Sequence, residues 1–229
     1  LLLLFAEVTG GISLMLYFFQ IWKIEDVPQL EPLEDVTIDV YIPTYNEDAS
    51  LLRATVNASK AMEYKHRTFL LDDGNRQEIR ELAAELEIEY IAREENRHAK
   101  AGNLNHALEI TDGEFVVVLD ADHIPSRNFI TRMLGLFRDP KLGFVQSPHA
   151  FYNFENFQSS VDYSKGKYWE EGLLFYQQIQ PGRNHWDSVI FAGSAAMFRR
   201  TALEDVGLVA VETITEDMHT GIRMSANGW

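Results

Sequence analysis

The chain has 229 residues and a formal net charge of −15. This length suffices for one full α/β domain with a sizeable core. The negative charge argues against a nucleic acid as a partner, because its phosphates and an acidic protein repel each other. There are no cysteines, which excludes disulfides, thiolate metal sites and a cysteine nucleophile. Their absence is compatible with a cytoplasmic location.

The first 22 residues predict a membrane-spanning helix. Leu1–Trp22 is rich in Leu, Phe, Ile and Met and carries one charge, Glu7. At about 1.5 Å per residue, such a helix approaches the ~30 Å hydrocarbon core of a bilayer. Tyr17, Trp22 and Lys23 resemble an interfacial anchor. A charge in lipid is costly, so we expect Glu7 to face another helix of a parent protein. The alternative is an amphipathic helix buried in a protein core.

Three parts are predicted along the chain. Residues 1–24 form the transmembrane helix. Residues 25–34 are acidic, contain Pro28 and Pro32, and predict a linker. Residues 35–229 form the folded domain. Because the chain does not begin with Met, we interpret it as a piece of a longer protein, with a domain that is incomplete at its carboxyl end.

The domain alternates predicted strands and helices. This alternation implies βαβ units and a mostly parallel sheet, and right-handed crossovers place helices on both of its faces. Ser50 is expected to cap one helix, and Thr201 to open another with Glu204 as its capping-box partner. The predicted strands are Val36–Ile42, Thr68–Leu71, Glu89–Ala92, Phe115–Leu119 and Leu142–Gln146. The predicted helices are Ser50–Met62, Glu78–Leu86, Lys100–Ile110, Arg127–Phe137, Asp162–Gln178 and a last one that begins near Asp217.

Polar or acidic loops follow three of the predicted strands, at Thr44–Glu47, Asp72–Gly74 and Asp120–Asp122. The carboxyl ends of parallel strands lie at one edge of a sheet, and ligands bind there in open α/β folds. Asp and Gly are also ordinary turn residues. One such loop would be a plain turn, but three at one edge predict a pocket.

The third of these loops predicts a metal site. Phe115–Leu119 is a continuous apolar run, as expected for a strand buried on both faces. Asp120 and Asp122 stand at its end, and paired carboxylates suit Mg²⁺ or Mn²⁺. The alternative is a chance Asp-x-Asp. Lys100, at the start of a predicted helix, is a candidate phosphate ligand, since helix amino ends attract anions. A solvated lysine is the alternative.

Asp217 follows Glu216 at the start of the last predicted helix. One interpretation is a general base that takes a proton from an acceptor hydroxyl; the other is a helix cap. Aromatic side chains are candidates for stacking on sugar rings, although most aromatic residues simply belong to a core. These candidates are Phe151, Tyr152, Trp169 and Trp186.

Six motifs stand in order along the chain. They cover residues 39–47 (Asp-Val-Tyr-Ile-Pro-Thr-Tyr-Asn-Glu), 72–74 (Asp-Asp-Gly), 98–105 (His-Ala-Lys-Ala-Gly-Asn-Leu-Asn), 120–125 (Asp-Ala-Asp-His-Ile-Pro), 191–194 (Phe-Ala-Gly-Ser) and 215–217 (Thr-Glu-Asp). Together they resemble the family 2 glycosyltransferases, in particular the branch that includes bacterial cellulose synthase catalytic subunits. The resemblance implies a GT-A fold, a UDP-sugar donor and Mg²⁺ or Mn²⁺.

The resemblance also implies roles for individual residues. Uridine would contact Thr44, Tyr45, Glu47, Asp72 and Asp73. Lys100 would bind the diphosphate, and Asp120 would serve both nucleotide and metal, with Asp122 and His123 as further metal ligands. The acceptor would lie at Phe191, Ala192, Gly193 and Ser194, and the catalytic pair would be Glu216 and Asp217, with Asp217 as the base.

The expected activity is inverting transfer of a sugar, taken as glucose, to the end of a growing β-glucan, as in cellulose synthesis. The expected setting is a bacterial inner membrane with the domain in the cytoplasm, together with the rest of a parent synthase and accessory subunits. The family's Gln-x-x-Arg-Trp motif does not occur in these residues, so processivity follows from the resemblance alone. The alternatives are a non-processive membrane glycosyltransferase acting on a lipid or short glycan, and a nucleotide-binding module that is inert in this form.

Overall fold

A computed structural model of the chain describes residues 1–24, 26–150 and 171–229. They form two compact units, each described by itself below. The first comprises Leu1–Val27 and Pro148–Val189, and the second comprises Pro28–Ser147 and Ile190–Trp229. Most of the predicted helix Asp162–Gln178 lies outside the described residues, as do the aromatic candidates Phe151, Tyr152 and Trp169.

The first unit begins with helix α1, Leu2–Gln20, and none of its residues is buried. By length and composition it is able to cross a membrane. Near its end, Phe19 stacks on Trp186 with ring centroids 4.6 Å apart, so this predicted sugar-stacking residue packs against α1. The other described helical segments of the unit are α6 (Glu171–Leu174), a π-helical turn (Phe175–Ile179) and α7 (Gln180–Asn184).

The second unit is built on a sheet of six strands, which are β1 (Ile38–Thr44), β2 (Arg67–Asp72), β3 (Glu89–Ala92), β4 (Phe115–Val118), β5 (Phe144–Gln146) and β6 (Ala196–Arg199). Their order in the sheet is β3-β2-β1-β4-β6-β5. β1, β2, β3 and β4 run parallel, and β6 is antiparallel to both of its neighbours. The prediction of a mostly parallel sheet is therefore confirmed.

Helices cover both faces of this sheet, as predicted. They are α2 (Ala49–Lys60), α3 (Gln77–Glu85), α4 (Ala99–Ile110), α5 (Phe129–Leu134), α8 (Arg200–Asp205) and α9 (Glu216–Ala226), and a 3₁₀ turn (Gly135–Arg138) follows α5. In β4, Phe115 and Val117 join a core with α2, α3 and α5, whereas Val116 and Val118 join a second core with α4, α8 and α9. The strand is apolar at every position because both of its faces are buried.

Two predicted helix caps are wrong. Helix α2 is preceded by Asp48 in extended conformation, so Ser50 already lies inside the first turn. Helix α8 starts directly where β6 ends, with Arg199 at the cap position and no side-chain cap bond. The helix thus begins before Thr201, so Thr201 does not occupy the N-cap position from which a capping box with Glu204 would form.

Residues 28–34 of the segment predicted as a linker are part of the second unit and pack within it. The Tyr64 hydroxyl donates to the carbonyl of Leu33 at 2.9 Å, and Nε of Arg138 donates to the carbonyl of Glu31 at 3.3 Å. Residues 28–34 therefore belong with the sheet, although they contain no helix or strand.

A buried ion pair joins the sheet to α8. The Asp39 side chain, in β1, has no exposed surface, and its Oδ2 accepts a hydrogen bond from Nη2 of Arg200 at 3.3 Å. Arg200 also donates to the carbonyls of Gly113 and Leu108, and Asp39 also pairs with Arg67. Since Arg200 satisfies groups from three other elements, its loss leaves several buried polar groups unpaired.

We expect Arg200→Met to lower the free energy of unfolding by about 3 kcal/mol or more, the usual cost of breaking a buried ion pair. The exposed Arg138→Met is the matched control and should change stability by less than about 0.5 kcal/mol. Urea unfolding followed by circular dichroism measures both. Equal midpoints for the two variants would contradict a structural role for the Asp39–Arg200 pair.

Candidate active site

The three polar loops predicted to converge do lie at one edge of the sheet. Thr44 is the register partner of Asp72, and β4 runs parallel to β1. The loops border a cleft of about 560 Å³, which the amino end of α4 also lines. Its walls are Pro43, Thr44, Tyr45, Glu47, Leu51, Asp73, Asn96, Ala99, Lys100, Asn103, Asp120, Ala121 and Asp122.

Glu47 organises the loop after β1. Its Oε2 accepts hydrogen bonds from the Thr44 hydroxyl at 2.7 Å and from the backbone amides of Tyr45 at 2.8 Å and Asn46 at 3.2 Å. Burial alone would raise the pKa of Glu47, but these hydrogen bonds outweigh it and hold the pKa below its ordinary value. Glu47 is thus an anion that shapes the loop, and Tyr45 is left half-exposed in the cleft wall.

Asp72 lies behind the cleft rather than in its wall. Its carboxylate is fully buried and accepts hydrogen bonds from the amides of Gly74 and Arg76, from Nε of Arg76 and from the Tyr90 hydroxyl. Arg76 continues to the Thr44 hydroxyl at 2.8 Å. The structure therefore gives Asp72 a part in building the loop, and it does not bring this carboxylate to the cleft surface as the uridine assignment expects.

Asp73 does line the cleft, and Arg93 pairs with it. Both side chains are largely buried, and Nη2 of Arg93 is 2.8 Å from Oδ2 of Asp73. The same guanidinium donates to the carbonyls of Arg97 and Ala99, which holds the loop before α4. A Cβ atom on Gly102 would lie 2.0 Å from the Arg97 carbonyl oxygen, so this close approach requires glycine.

Lys100 is the second residue of α4, and its side chain reaches into the cleft. Nζ donates to the Asp120 carboxylate and, at 2.7 Å, to the carbonyl of Gly193. The side chain is 28% exposed, so an anion in the cleft can approach it. A phosphate bound to Lys100 would have to share Nζ with the Asp120 carboxylate or displace that carboxylate. The sequence alone did not reveal this Lys100–Asp120 pair.

The predicted metal ligands come together at the end of β4. One potential ligand atom each from Asp120, Asp122 and His123 lies within 4.8 Å of the others. Two carboxylates and an imidazole form a donor set that fits a divalent cation such as Mn²⁺ or Mg²⁺. Asp122 is exposed to solvent, and a cation at this site would face the cleft that Asp122 lines.

The segment predicted to contact an acceptor is only partly accessible. Phe191 is buried and packs edge-on against Phe198, and Ser194 is buried with its hydroxyl near His123. These two side chains face the protein interior. Ala192 and Gly193 are partly exposed, so an acceptor would meet this segment through them and through the backbone.

Asp217 lies beside that segment, in the first turn of α9. A Cβ atom on Gly193 would be 3.1 Å from Oδ2 of Asp217, and φ of Gly193 is +81°, a conformation that favours glycine. Because Lys100 binds the Gly193 carbonyl, the structure brings Asp217 into one cluster with Lys100 and Asp120. The helix cap is Thr215, and the Asp217 carboxylate accepts the next amide, that of Met218, at 2.7 Å.

Sequence reasoning missed the residues that hold these loops. Arg76 donates to the backbone carbonyl of Glu47, 29 residues away, and Arg93 pairs with the Asp73 carboxylate, 20 residues away. Gln146 contacts the backbone of residues 192–195. Asn103 was missed as a cleft residue. Among the described residues, its Oδ1 is the only buried side-chain nitrogen or oxygen without a hydrogen-bond partner. A ligand or a water molecule can supply the missing donor.

Comparison with solved structures shows the same fold. A mannosyltransferase from Pyrobaculum calidifontis, solved with GDP-Man and Mn²⁺, aligns with 98% of this chain and 62% of its own, at a TM-score of 0.69 and 24% identity. The S. aureus protein TarS (1–349), solved with UDP-GlcNAc, aligns with 83% of this chain and 54% of its own, at a TM-score of 0.58 and 17% identity. The expected GT-A-type fold is confirmed.

Curated relatives match nearly the whole chain. Cellulose synthase 2 of Novacetimonas hansenii is 42% identical over 100% of the chain, and the cellulose synthase catalytic subunits [UDP-forming] of Pseudomonas fluorescens and Xanthomonas axonopodis pv. citri are 42% and 43% identical over 98% and 99% of it. The chain spans only 15%, 31% and 32% of the length of these proteins. The family model for "Glycosyl transferase family 2" matches residues 39–207. The chain belongs to glycosyl transferase family 2.

Proposed function

We propose that the chain is the catalytic region of a membrane-embedded, inverting β-glycosyltransferase that moves glucose from UDP-glucose to the end of a growing β-glucan, as in cellulose synthesis. The observation that carries this proposal is the cluster of Lys100, Asp120 and Asp217 around Gly193, next to the cleft. It offers an anion-binding lysine, metal ligands and a carboxylate base in one place. The identity with UDP-forming cellulose synthase subunits supports the choice of donor and product.

The proposed layout follows the three parts predicted from the sequence. Residues 1–24 would span the bacterial inner membrane, residues 25–34 would follow as the connecting segment, of which residues 28–34 belong with the sheet, and residues 35–229 would form the GT-A domain on the cytoplasmic side. Helix α1 supports the membrane assignment by its length and composition. The remaining parts of the synthase and accessory subunits would complete the acceptor path.

Donor binding would use both ends of the cleft. Tyr45 and Asp73 line the end that we assign to uridine, and Lys100 lies where the diphosphate would follow. Lys100 would then stabilise the negative charge that grows on the leaving UDP. Asp120, Asp122 and His123 would hold Mg²⁺ or Mn²⁺, which supplies further charge neutralisation for the diphosphate.

Asp217 would act as the base. The acceptor hydroxyl attacks the anomeric carbon from the face opposite UDP, the bond from that carbon to the diphosphate oxygen breaks, and the hydroxyl proton passes to the Asp217 carboxylate. The sugar is transferred in one displacement, which inverts its configuration. The partly exposed Ala192 and Gly193, next to Asp217, are where we expect the acceptor end.

The metal assignment predicts that Asp122→Asn weakens UDP binding in the presence of Mn²⁺, because one ligand carboxylate is lost. Titration calorimetry on the purified chain, with Mn²⁺ and then with a chelator, measures this. Wild-type affinity should fall on chelation, and the variant should bind with nearly the same low affinity in both conditions. Asp112→Asn, an exposed aspartate at the opposite edge of the sheet, is the control. If chelation leaves the UDP affinity of the wild-type chain unchanged, the metal has no part in donor binding.

The phosphate assignment predicts that Lys100→Ala weakens UDP binding by about tenfold or more, the worth of a charge-assisted hydrogen bond of roughly 1.5–3 kcal/mol. Uridine has no diphosphate, so its affinity should scarcely change. Lys141→Ala removes an exposed lysine elsewhere and controls for net charge. Equal losses for UDP and uridine would make Lys100 a structural residue of the loop.

The base assignment predicts that Asp217→Asn in the full-length protein lowers polymer synthesis by on the order of 10² or more, the usual worth of general-base catalysis. Asparagine still accepts the Met218 amide and replaces aspartate well near a helix start, so melting temperature and UDP affinity should hardly move. Glu204→Gln, which neutralises an exposed carboxylate on α8, is the control and should cost much less. Near-wild-type synthesis by Asp217→Asn would refute the assignment of Asp217 as the base. Its role would then be limited to the hydrogen bond that it accepts from the Met218 amide at the start of the helix.

A further inference from the structure

Ser194 occupies a place that an acceptor-binding role does not explain. Its side chain is buried, with a relative exposure of 1% for the residue, and it points towards the loop after β4. Oγ accepts a hydrogen bond from the backbone amide of Asp120 at 2.7 Å and lies 2.6 Å from Nδ1 of His123. One hydroxyl thus contacts two of the three candidate metal ligands, more than 70 residues away along the chain.

The turn that carries Ser194 is held from two other directions. Gln146, at the end of β5, accepts the Ala192 amide with Oε1 at 2.9 Å and donates to the Ser194 carbonyl with Nε2 at 2.8 Å. Lys100, from α4, donates to the Gly193 carbonyl at 2.7 Å. These contacts fix the backbone of the turn, so the Ser194 hydroxyl is presented to Asp120 and His123 in one position.

We propose that Ser194 is a positioning residue for the cation site formed by Asp120, Asp122 and His123. Its hydrogen bond to Nδ1 orients the His123 ring and leaves Nε2 as the nitrogen that would coordinate a cation, and its contact with the Asp120 amide fixes the backbone from which that carboxylate projects. The physical ground is that hydrogen bonds to the outer side of metal ligands hold them in the coordinating orientation and typically change metal affinity by 10–100-fold. The proposal rests on the cation role given to this site above.

The competing explanation is that Ser194 only stabilises the turn through a buried hydrogen bond. Both explanations predict some loss of stability when the hydroxyl is removed, because a buried hydrogen bond is lost. They differ in cation affinity, which changes only if Ser194 acts on Asp120 and His123. Direct binding of Mn²⁺ without nucleotide or turnover therefore separates them.

The test uses the purified chain and Mn²⁺ alone, with free Mn²⁺ measured by electron paramagnetic resonance. We expect Ser194→Ala to weaken Mn²⁺ binding by about tenfold or more. Ser59→Ala is the matched control: it removes another fully buried serine hydroxyl, one that donates to the Thr55 carbonyl at 2.8 Å. This control should lose stability but keep wild-type Mn²⁺ affinity. Wild-type affinity in Ser194→Ala would overturn the proposal and leave the turn-stabilising explanation.

Two further variants test the proposal, one in case Ser194→Ala does not fold and one for the coupling between Ser194 and His123. Ser194→Cys nearly keeps the side-chain volume but bonds weakly, so it should also bind Mn²⁺ less well, and it carries the test if Ser194→Ala does not fold. In Ser194→Ala/His123→Ala the two losses should fall short of additive, because part of the serine's effect passes through the histidine. Fully additive losses would overturn positioning through His123. If the wild-type chain binds no Mn²⁺, the cation site itself is wrong. This result differs from the one that would overturn the role of Ser194, in which the wild-type chain and Ser194→Ala bind Mn²⁺ equally well.

Discussion

The parallel register of β1, β2 and β4 is the constraint on which the candidate site depends. Thr44 and Asp72 are register partners, and Tyr41 pairs with Val118 in the neighbouring strand. All three strands therefore end at one edge of the sheet, and the parallel register alone places their loops side by side. A register slip by one residue would turn every side chain of a strand to the opposite face. Both faces of β4 are buried, so the two cores fix the register and the site with it.

The loops at this edge are preorganised by pairs between charged groups. Asp72 with Arg76, Asp73 with Arg93 and Asp120 with Lys100 are each joined within a loop or across neighbouring loops. The first two pairs are mostly buried, so the ligand meets a wall whose shape is already set. The Lys100–Asp120 pair is more exposed, and it is the one that an incoming cation and diphosphate can replace with new partners on both sides.

The sequence predicted the sheet well because its strands are apolar runs that end in turn residues. Phe115–Val118 and Glu89–Ala92 were found almost to the residue for that reason. β6 (Ala196–Arg199) was not predicted as a strand, and its antiparallel direction was therefore missed as well, since strand direction depends on the path of the preceding loops. The predicted helix caps at Ser50 and Thr201 were wrong because both helices begin one or more residues earlier, and the spacing of cap residues in the sequence does not fix where the preceding extended segment ends.

The site was predicted as a set of residues but not as a set of roles. Asp72 and Ser194 carry chemistry-bearing groups in motifs, yet both face inwards, and only three-dimensional contacts with Tyr90 and His123 show this. Arg93 and Gln146 stand in no motif that was noticed, because their partners lie 20 and 46 residues away. Side-chain direction at a loop is decided by distant packing, which a single sequence does not display.

The charged side chains that line the cleft favour a bound cation, independently of the family resemblance. Four carboxylates line the cleft (Glu47, Asp73, Asp120 and Asp122), against one lysine, Lys100. Arg93 offsets Asp73, and Lys100 offsets Asp120, while Glu47 is held by hydrogen bonds from uncharged groups. A diphosphate would bring further negative charge into this acidic cleft, where the repulsion is stronger than in water. Asp120, Asp122 and His123 would hold a divalent cation here, and its charge would offset that repulsion, so the acidic lining favours a nucleotide that binds together with a cation.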